Sequence, residues 1–318
     1  MAGNPNWTEL ATATLTHRRP KIADTISKNN IVMFEMRRRG RIRTIGGGRS
    51  IETPIMIGDE NENFLWYNGR EPLNGFGQEV LTGAEFPWKQ YACGVSMSGR
   101  EMLQNSGREA IINMLTQRTL HCEKTIANNL AKSANGDGTL FSGKEMGGMS
   151  LIVAPTAGAT VGGINSGQYA WWDNKRSAIG SLSTATINGD MLDMTLSLKR
   201  GGDKPNLITS DDSFYSTYWQ SLQSQQRFMD QKLAAGNHEN VMFGTTPVVS
   251  DGGIGGYHPV GMRFLNLGTI ELVMHKDRNN TVLKGPNRPM LEDSHTVIMA
   301  GMGNFIVMNR YLNGTITL

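Results

Sequence analysis

The chain has 318 residues, 38 of them glycine, a hydrophobic content of 38% and a net charge of +3. This length exceeds one usual domain, so we expect two lobes or one large irregular fold, and the glycine content predicts many turns and extended segments. No run approaches the roughly 18 apolar residues of a membrane helix, and the N-terminus lacks a secretion-signal pattern, so the sequence predicts a soluble protein made in the cytosol, with no membrane partner.

The N-terminal segment is strongly basic. Its first 50 residues carry ten Lys or Arg against three acidic residues, a net charge of +7, which leaves −4 for the remainder. The segment has too little apolar surface to fold alone, so we expect it to lie on another chain. Its charge predicts an anionic partner, either nucleic acid or acidic faces of other subunits, and a solvated charge run is the alternative. The densest run, RRRGRIR, contains Arg37, Arg38, Arg39, Arg41 and Arg43.

Residues 49 to 98 indicate β-strands separated by a long excursion. Alternate residues from Tyr91 to Met97 are apolar, which predicts a strand with one covered face. The excursion, of about 26 residues, is uncommonly long for a loop inside a compact domain, so we expect it to project from the body and make a contact. Its aromatic residues, which we expect to be exposed, are Phe64, Trp66, Tyr67 and Phe76.

Residues 106 to 133 show the clearest helical pattern. Ser106 and Glu109 form a capping box, and Asn135-Gly136 is a stop signal. The pattern predicts a core helix of about 28 residues, about 42 Å long. Its expected buried face is Ile111, Leu115, Thr119, Cys122, Ile126 and Leu130.

Residues 137 to 256 mix helix and strand patterns and predict an α+β or α/β lobe. The segment PNLITS indicates a strand, and Asp211 or Asp212 caps the helix that follows it. After residue 262, alternating apolar residues predict a return to strands. The apolar faces expected in the two helices of the lobe are Ile187, Met191, Met194 and Leu198 in the first and Tyr215, Trp219 and Leu222 in the second.

The segment GTLFSGKE, residues 138 to 145, matches the first seven positions of a phosphate-binding loop. The eighth position is Glu145, whose carboxylate repels phosphate where a Ser or Thr hydroxyl should bind magnesium. The pattern predicts neither a strand before the loop nor a helix after it. A glycine-rich connection between two lobes is therefore favoured over a nucleotide-binding site.

Residue patterns for catalysis or metal binding are missing from the sequence. Cys93 and Cys122 are the only cysteines and lie outside any Cys-x-x-Cys pair, and the six histidines show no metal-ligand spacing. There is no Gly-x-Ser-x-Gly elbow and no Cys–His signature. The sequence thus predicts no catalytic residues, no metal, no cofactor and no enzymatic activity.

Eight segments, in order, carry a resemblance to a known family: TLTHRRPKIADTISKNN, RRRGRIRTIGGGRSIETPI, WYNGREPL, AEFPWKQ, GREMLQNSGREAIINML, GGMSLIVA, RGGDKPNLITSDDSFYSTYWQSLQSQQR and FLNLGTIELVMHKDRN. In these segments the sequence resembles the major capsid proteins of tailed bacteriophages with the Hong Kong 97 fold. The resemblance implies an α+β fold with an N-terminal arm (1–48), an extended E-loop β-hairpin (49–98), a peripheral domain with a long spine helix (99–136), an axial domain (137–261) and a C-terminal segment (262–318) that completes the peripheral sheet.

The resemblance also implies a function and partners. In that family, copies form hexamers and pentamers of an icosahedral shell around double-stranded DNA, and the E-loop of one subunit lies over the peripheral domain of its neighbour. Expected partners are further copies of the chain, a scaffolding protein, a portal protein and non-specifically bound DNA, in a virion capsid assembled in the bacterial cytoplasm. The E-loop contacts would be Phe64, Trp66, Tyr67, Arg70 and Phe76.

Two details concern cohesion and assembly. Some members join an E-loop lysine covalently to a neighbour, but no lysine occurs from Gly58 to Gly83, so we expect non-covalent cohesion. The chain starts at Met1 directly in the arm, so we expect a separate scaffolding protein. A DNA-binding architectural protein that uses its basic arm is the alternative function.

Overall fold

The structure, a computed structural model, describes residues 30–57, 63–73, 75–77, 80–104, 114–222, 240–251, 258–287 and 293–318. Its helices are α1 (Ile31–Arg38), α2 (Gly99–Gln104), α3 (Met114–Asn135), α4 (Leu140–Gly143), α5 (Met149–Ile152), α6 (Ile187–Leu198) and α7 (Asp212–Ser221), with a 3-10 turn at Ala170–Trp172. Its strands are β1 (Ile42–Ile45), β2 (Ile51–Met56), β3 (Leu81–Phe86), β4 (Lys89–Ser98), β5 (Thr160–Val161), β6 (Ile164–Asn165), β7 (Lys175–Ala178), β8 (Leu207–Ser210), β9 (Asn240–Phe243), β10 (Thr246–Ser250), β11 (Met262–Leu265), β12 (Ile270–His275), β13 (Thr281–Asn287), β14 (Ser294–Val307) and β15 (Gly314–Thr317).

Two large sheets organise these strands. One sheet has five strands in the order β1-β12-β14-β13, and β4 also pairs with β14. The other has six strands in the order β7-β15-β11-β8-β10-β9. The pairs β2-β3 and β5-β6 form two small hairpins. Helices and mixed sheets together make the α+β fold that the sequence predicted.

The C-terminal segment links both sheets. Strands β12, β13 and β14 belong to the five-stranded sheet, whereas β11 and β15 belong to the six-stranded sheet. A single hydrophobic core contains Leu207 and Leu265 of the six-stranded sheet together with Leu272 and Phe305 of the five-stranded sheet. The two sheets are therefore packed against a shared apolar interior.

Residues 30 to 45 are packed on the body of their own chain. Asn30 caps α1 by accepting a hydrogen bond from the Met33 amide at 3.0 Å, and Ile31, Val32 and Met36 are fully buried. Strand β1 then pairs in parallel with β12. The expectation that this basic segment finds its surface only on another chain is therefore wrong for these residues, because one amphipathic helix and one added strand suffice to bury it. Residues 1 to 29 lie outside the described part of the chain.

A glycine terminates α1 and turns the chain into β1. Gly40 has φ +67°, a left-handed conformation that suits glycine. Its amide donates to the Arg37 carbonyl at 3.1 Å, and the Arg41 amide donates to the Met36 carbonyl at 2.8 Å. This pair of hydrogen bonds is the Schellman pattern, which satisfies the last carbonyls of the helix. The basic run is thus a helix end, a tight turn and a strand.

The described part of the long helix, α3, has 22 residues and ends at Asn135, as predicted. Cys122 and Ile126 are buried and pack with Val95 and Met299 of the five-stranded sheet, and Leu130 is packed beside them. The predicted capping box at Ser106 and Glu109, and Ile111, lie outside the described residues. The long helix therefore covers one face of the five-stranded sheet.

Two helices, α6 and α7, pack over the six-stranded sheet, and their buried residues can be compared with the predicted apolar faces. In α6, Ile187, Met191, Met194 and Leu198 are the buried residues, as predicted. Asp211 caps α7, since its carboxylate accepts from the Ser213 amide at 3.2 Å.

Two of the three predicted residues of the α7 face are displaced by one position, whereas Leu222 is buried as predicted. Phe214 and Tyr218 are the fully buried side chains, whereas Tyr215 and Trp219 are half-buried at the edge of the core. The Tyr218 hydroxyl reaches the Met242 carbonyl of β9 at 3.0 Å, which fixes that orientation.

Candidate functional site

The hairpin β2–β3 projects from a buried base. Its two strands pair in antiparallel register from Ile51 opposite Phe86 to Met56 opposite Leu81. The inward face, with Ile51, Ile55 and Phe86, is part of the main core, and the Glu85 amide donates to the Gly162 carbonyl at 3.0 Å. The strands that flank the excursion are therefore covered on one face by their own chain.

The tip of the hairpin presents an aromatic surface. Trp66 is 90% exposed and Phe76 is 73% exposed. The rings of Phe64 and Trp66 meet edge to face, with centroids 5.5 Å apart. Asn63 bridges the two sides of the tip, because its side-chain amide oxygen accepts from the Phe76 amide at 3.1 Å and its amide nitrogen donates to the Phe76 carbonyl at 2.7 Å. The five predicted contact residues are all exposed here: Phe64, Trp66, Tyr67, Arg70 and Phe76.

The outward face of the hairpin strands carries a pair of carboxylates. Glu52 lies directly opposite Glu85, and both are exposed. Further along the same face, Met56 lies opposite Leu81, and they are 68% and 69% exposed. The periodicity and motifs of the sequence did not predict this face. A count of charge by segment would have indicated it, since residues 51 to 86 contain seven acidic residues and one arginine.

A buried glutamate holds the first part of the basic run. The side chain of Glu35 is fully buried, and its carboxylate accepts from Arg38 at 2.7 Å and from Arg39 at 3.1 Å. Arg39 also donates to the Asn206 carbonyl at 3.3 Å, which ties the end of α1 to the segment before β8. Arg37, one residue earlier, forms no ion pair with any residue that the structure describes.

A second carboxylate holds the rest of the run. Glu271 of β12 lies 3.3 Å from the Arg41 guanidinium and 3.4 Å from that of Arg43. We define the arginine cluster as Arg37, Arg38, Arg39, Arg41 and Arg43. Its five positive charges and two carboxylates leave an excess of +3 on a surface where every arginine stays partly exposed. The structure thus brings the predicted basic residues together, on their own body.

Beneath the cluster, a polar network joins α1, α3 and the six-stranded sheet. Asn135 donates to the Asp251 carboxylate at 2.7 Å and accepts from Arg263 at 3.1 Å, and Asn30 donates to Asp251 at 3.3 Å. Burial raises the pKa of Asp251 to about 6, against the opposing effects of Asn135 and Arg263. Burial lowers the pKa of Arg263 to about 10. This network fixes the start of α1 relative to α3 and the six-stranded sheet.

A neighbouring histidine is held in its neutral form. His258 is buried, with Nε2 3.1 Å from the Thr209 hydroxyl and Nδ1 2.7 Å from the Pro259 carbonyl. Burial, followed by the charge of Arg263, lowers the pKa of His258 to about 3. A neutral imidazole that is hydrogen-bonded on both nitrogens contributes structure rather than proton transfer.

The connection at residues 138 to 145 is not built to bind phosphate. Helix α3 precedes it and the four-residue helix α5 follows it, so it lacks the strand before and the long helix after that such a loop requires. Burial raises the pKa of Glu145 at the position of the magnesium ligand. The absence of a strand before the connection is as predicted, whereas the short helix α5 after it was not predicted.

The same connection forms one wall of an apolar cleft. Phe141 and Ser142 have φ values of 53° and 58°, an uncommon conformation for these residue types that turns Phe141 outward. The cleft has a volume of about 520 Å3 and is also lined by Tyr91, Ile126 and Leu130. Lys89 crosses its floor and donates to the Gly143 carbonyl. An open apolar cleft with lysines at its edge is suited to binding an apolar or aromatic group.

Within the described ranges, no group of three or more His, Cys, Asp or Glu side chains is arranged to hold a metal ion. No helix in that part of the chain combines the length and hydrophobicity that crossing a membrane requires. Burial raises the pKa of the Cys122 thiol to about 12, so this thiol stays protonated and packs as an apolar side chain.

Comparison with known proteins relates the fold to viral and virus-like shells. No protein-family model and no curated protein matches the chain. The capsid of cyanophage A-1(L) aligns with a TM-score of 0.64 at 14% identity, covering 94% of each chain. The capsid of the native GTA particle aligns with a TM-score of 0.62 at 14% identity, over 93% of this chain and 94% of that one.

An encapsulin shares the fold as well. The SrpI encapsulin of Synechococcus elongatus PCC 7942 aligns with a TM-score of 0.57 at 8% identity, over 95% of this chain and 94% of that one. All three likenesses span nearly the whole chain. The protein therefore has the Hong Kong 97-type capsid fold that its sequence predicted.

Proposed function

We propose that this protein is a structural shell subunit, the major capsid protein of a tailed bacteriophage, which self-assembles into hexamers and pentamers of an icosahedral head around double-stranded DNA without a catalytic step. The observation that carries the proposal is the fold, which the chain shares over 94% of its length with the capsid of cyanophage A-1(L). A second observation supports it, because a projecting aromatic tip and an apolar cleft on the same subunit can pair only between copies or with another partner.

The tip and the cleft are the contact that we assign to neighbouring subunits. Phe64 and Trp66 at the tip are largely exposed among the described residues, and the cleft beside Phe141 has a volume of about 520 Å3. Burying one aromatic side chain contributes about 2–3 kcal/mol. Such contacts are weak one at a time, but each subunit makes several, so the assembled shell is held firmly through multivalency. Cohesion is then non-covalent.

The remaining partners follow from this role. A shell of this kind requires a scaffolding protein during assembly and a portal protein through which double-stranded DNA enters, and the finished protein is located in the virion capsid. Contacts with packaged DNA would be non-specific and sensitive to salt. The DNA-binding architectural alternative has less support, since four of the five arginines that would carry it are engaged by Glu35 and Glu271.

Assembly is tested by expressing the chain alone and measuring the size of the particles it forms over a range of protein concentrations. We expect sedimentation velocity to detect capsomers or megadalton particles, and negative-stain microscopy to show closed shells. A chain that stays monomeric at every concentration contradicts the proposal. Binding of free duplex DNA that weakens steeply with salt, with no particles formed, would instead favour the architectural role.

A further inference from the structure

Charge is segregated between the hairpin and the rest of the chain. Residues 51 to 86 carry seven acidic residues and one arginine, a net charge of −6, so the remainder of this +3 chain carries +9. The acidity that balances the basic N-terminal segment is therefore concentrated in one projecting element. A subunit with one strongly acidic projection and a basic body has two surfaces that attract each other.

The outward face of the hairpin strands lacks a partner within its own subunit. Glu52 and Glu85 are directly opposed, and like charges at such positions repel across a separation of about 5 Å. Neither carboxylate forms an ion pair or a hydrogen bond within the described part of the chain. The same face continues through Pro54 and Gly83, which present little side chain, to the exposed apolar pair Met56 and Leu81. It is thus a smooth strip, acidic at one end and apolar at the other.

The arginine cluster has the complementary chemistry. It keeps an excess of +3 after its internal ion pairs are counted. Arg37 has no ion pair in the described part of the chain, and the side chain of Arg43 is 50% exposed despite its contact with Glu271. Guanidinium groups bind carboxylates through paired, directional hydrogen bonds, and their planar faces also pack on apolar side chains. Both ends of the strip therefore suit arginine.

We propose that the outward face of the β2–β3 hairpin, through Glu52 and Glu85, binds the arginine cluster of a second copy of this chain. This inference rests on the proposed function and adds to it a specific electrostatic contact and the partner of the basic run. Because the two surfaces lie on different elements of each subunit, the contact is head-to-tail, and repeated contacts of this kind close into rings. The basic run then binds protein carboxylates in preference to DNA phosphates.

Charge reversal tests the contact. The acidic side is reversed in E52R/E85R and the basic side in R37E/R43E, and the quadruple variant carries all four changes so that every contact between copies is again complementary. D203R/D277R is the control, since it makes the same change in net charge at exposed acidic residues of the body. The single variant R37E is measured as well, because the change at Arg43 also removes an ion pair with Glu271 within the subunit. Thermal unfolding of each dilute subunit shows whether it is folded.

We expect each double variant to raise the protein concentration needed for assembly by about tenfold or more, with the control unchanged and the quadruple variant restored close to wild type. Raising the salt concentration should weaken wild-type assembly but not that of a variant that has lost the contact. The inference is overturned if E52R/E85R assembles like wild type, or if the folded quadruple variant shows no recovery.

Two other results distinguish this inference from a DNA-facing role of the arginine cluster and from a failure of the proposed function. If R37E/R43E assembles normally but its particles lose DNA, the cluster faces DNA and the inference is wrong. If wild-type protein forms no particles at all, the proposed function fails first, whereas normal wild-type assembly with unaffected charge variants overturns only the electrostatic contact.

Discussion

Arg310 is a buried cation whose replacement should destabilise the subunit. It is fully buried and donates to three acceptors, the carbonyl of Ile152 at 2.8 Å, the carbonyl of Trp172 at 3.2 Å and the side-chain oxygen of Asn174 at 3.0 Å. These acceptors lie on α5, the 3-10 turn and the segment before β7. One guanidinium therefore holds together three connections that local secondary structure does not fix.

The expected magnitude follows from those three bonds. Replacing Arg310 by Met keeps most of the side-chain volume but leaves three buried acceptors without a donor, at about 1 kcal/mol or more each. Removing the buried charge itself recovers part of this loss, since burial already lowers the pKa of Arg310 to about 10. We therefore expect Arg310→Met to lower the free energy of unfolding by about 3 kcal/mol. Arg310→Lys keeps the charge but loses the planar guanidinium that donates to several acceptors at once. We therefore expect it to lower the free energy of unfolding by about 2 kcal/mol.

Urea denaturation of the dilute, unassembled subunit measures this difference, followed by the fluorescence of the tryptophans, of which Trp172 lies beside Arg310. The slope of free energy against urea should stay the same in all three proteins. If Arg310→Met unfolds within 0.5 kcal/mol of wild type, or if Arg310→Lys proves less stable than Arg310→Met, the hydrogen-bond reasoning is refuted.

Three further outcomes follow from single residues. Trp66→Ala should leave subunit stability within about 0.5 kcal/mol of wild type, because the ring is 90% exposed, while particle yield by sedimentation falls. Burial raises the pKa of Asp251 from 3.8 to about 6, so its protonation stabilises the fold below pH 3.8 and this contribution is lost as pH rises through 6. The unfolding free energy of wild type relative to Asp251→Asn should thus grow by about 2–3 kcal/mol between pH 6.5 and 4, and a constant difference contradicts it. Gly148→Ala should cost about 2 kcal/mol or more, since the added Cβ would lie 2.0 Å from the Ser133 carbonyl oxygen, and normal melting would show that the backbone yields there.

The periodicity of the sequence correctly predicted the features that depend only on residues close together in the chain. The buried stripe of α6 from Ile187 to Leu198 and the cap at Asp211 were both predicted correctly, because each depends on residues a few positions apart. In α7 the burial of Leu222 was predicted correctly, but the two aromatic positions were misassigned by one residue, since aromatic residues occupy 214, 215, 218 and 219 and periodicity alone does not rank them. The tertiary hydrogen bond of Tyr218 decides which pair is buried.

The role of the basic run could not be predicted, because it depends on pairing between distant segments. Arg41 and Glu271 are 230 positions apart, and they meet only because β1 joins β12. A segment that looks too poor in apolar residues to fold alone is stable once such a strand partner exists. Glu52 likewise lies opposite Glu85 only because of the register of the β2–β3 hairpin. The long excursion between the two strands prevents that register from being predicted from the sequence.

The position of β15 has a consequence for synthesis. It is made after every other described strand, yet it pairs with β7 on one side and β11 on the other, inside the six-stranded sheet. Until residues 314 to 317 leave the ribosome, β7 has no neighbour and the edge of β11 is open. A nascent polypeptide therefore cannot complete this sheet early, and the ordering of the lobe is delayed until translation reaches its last strand.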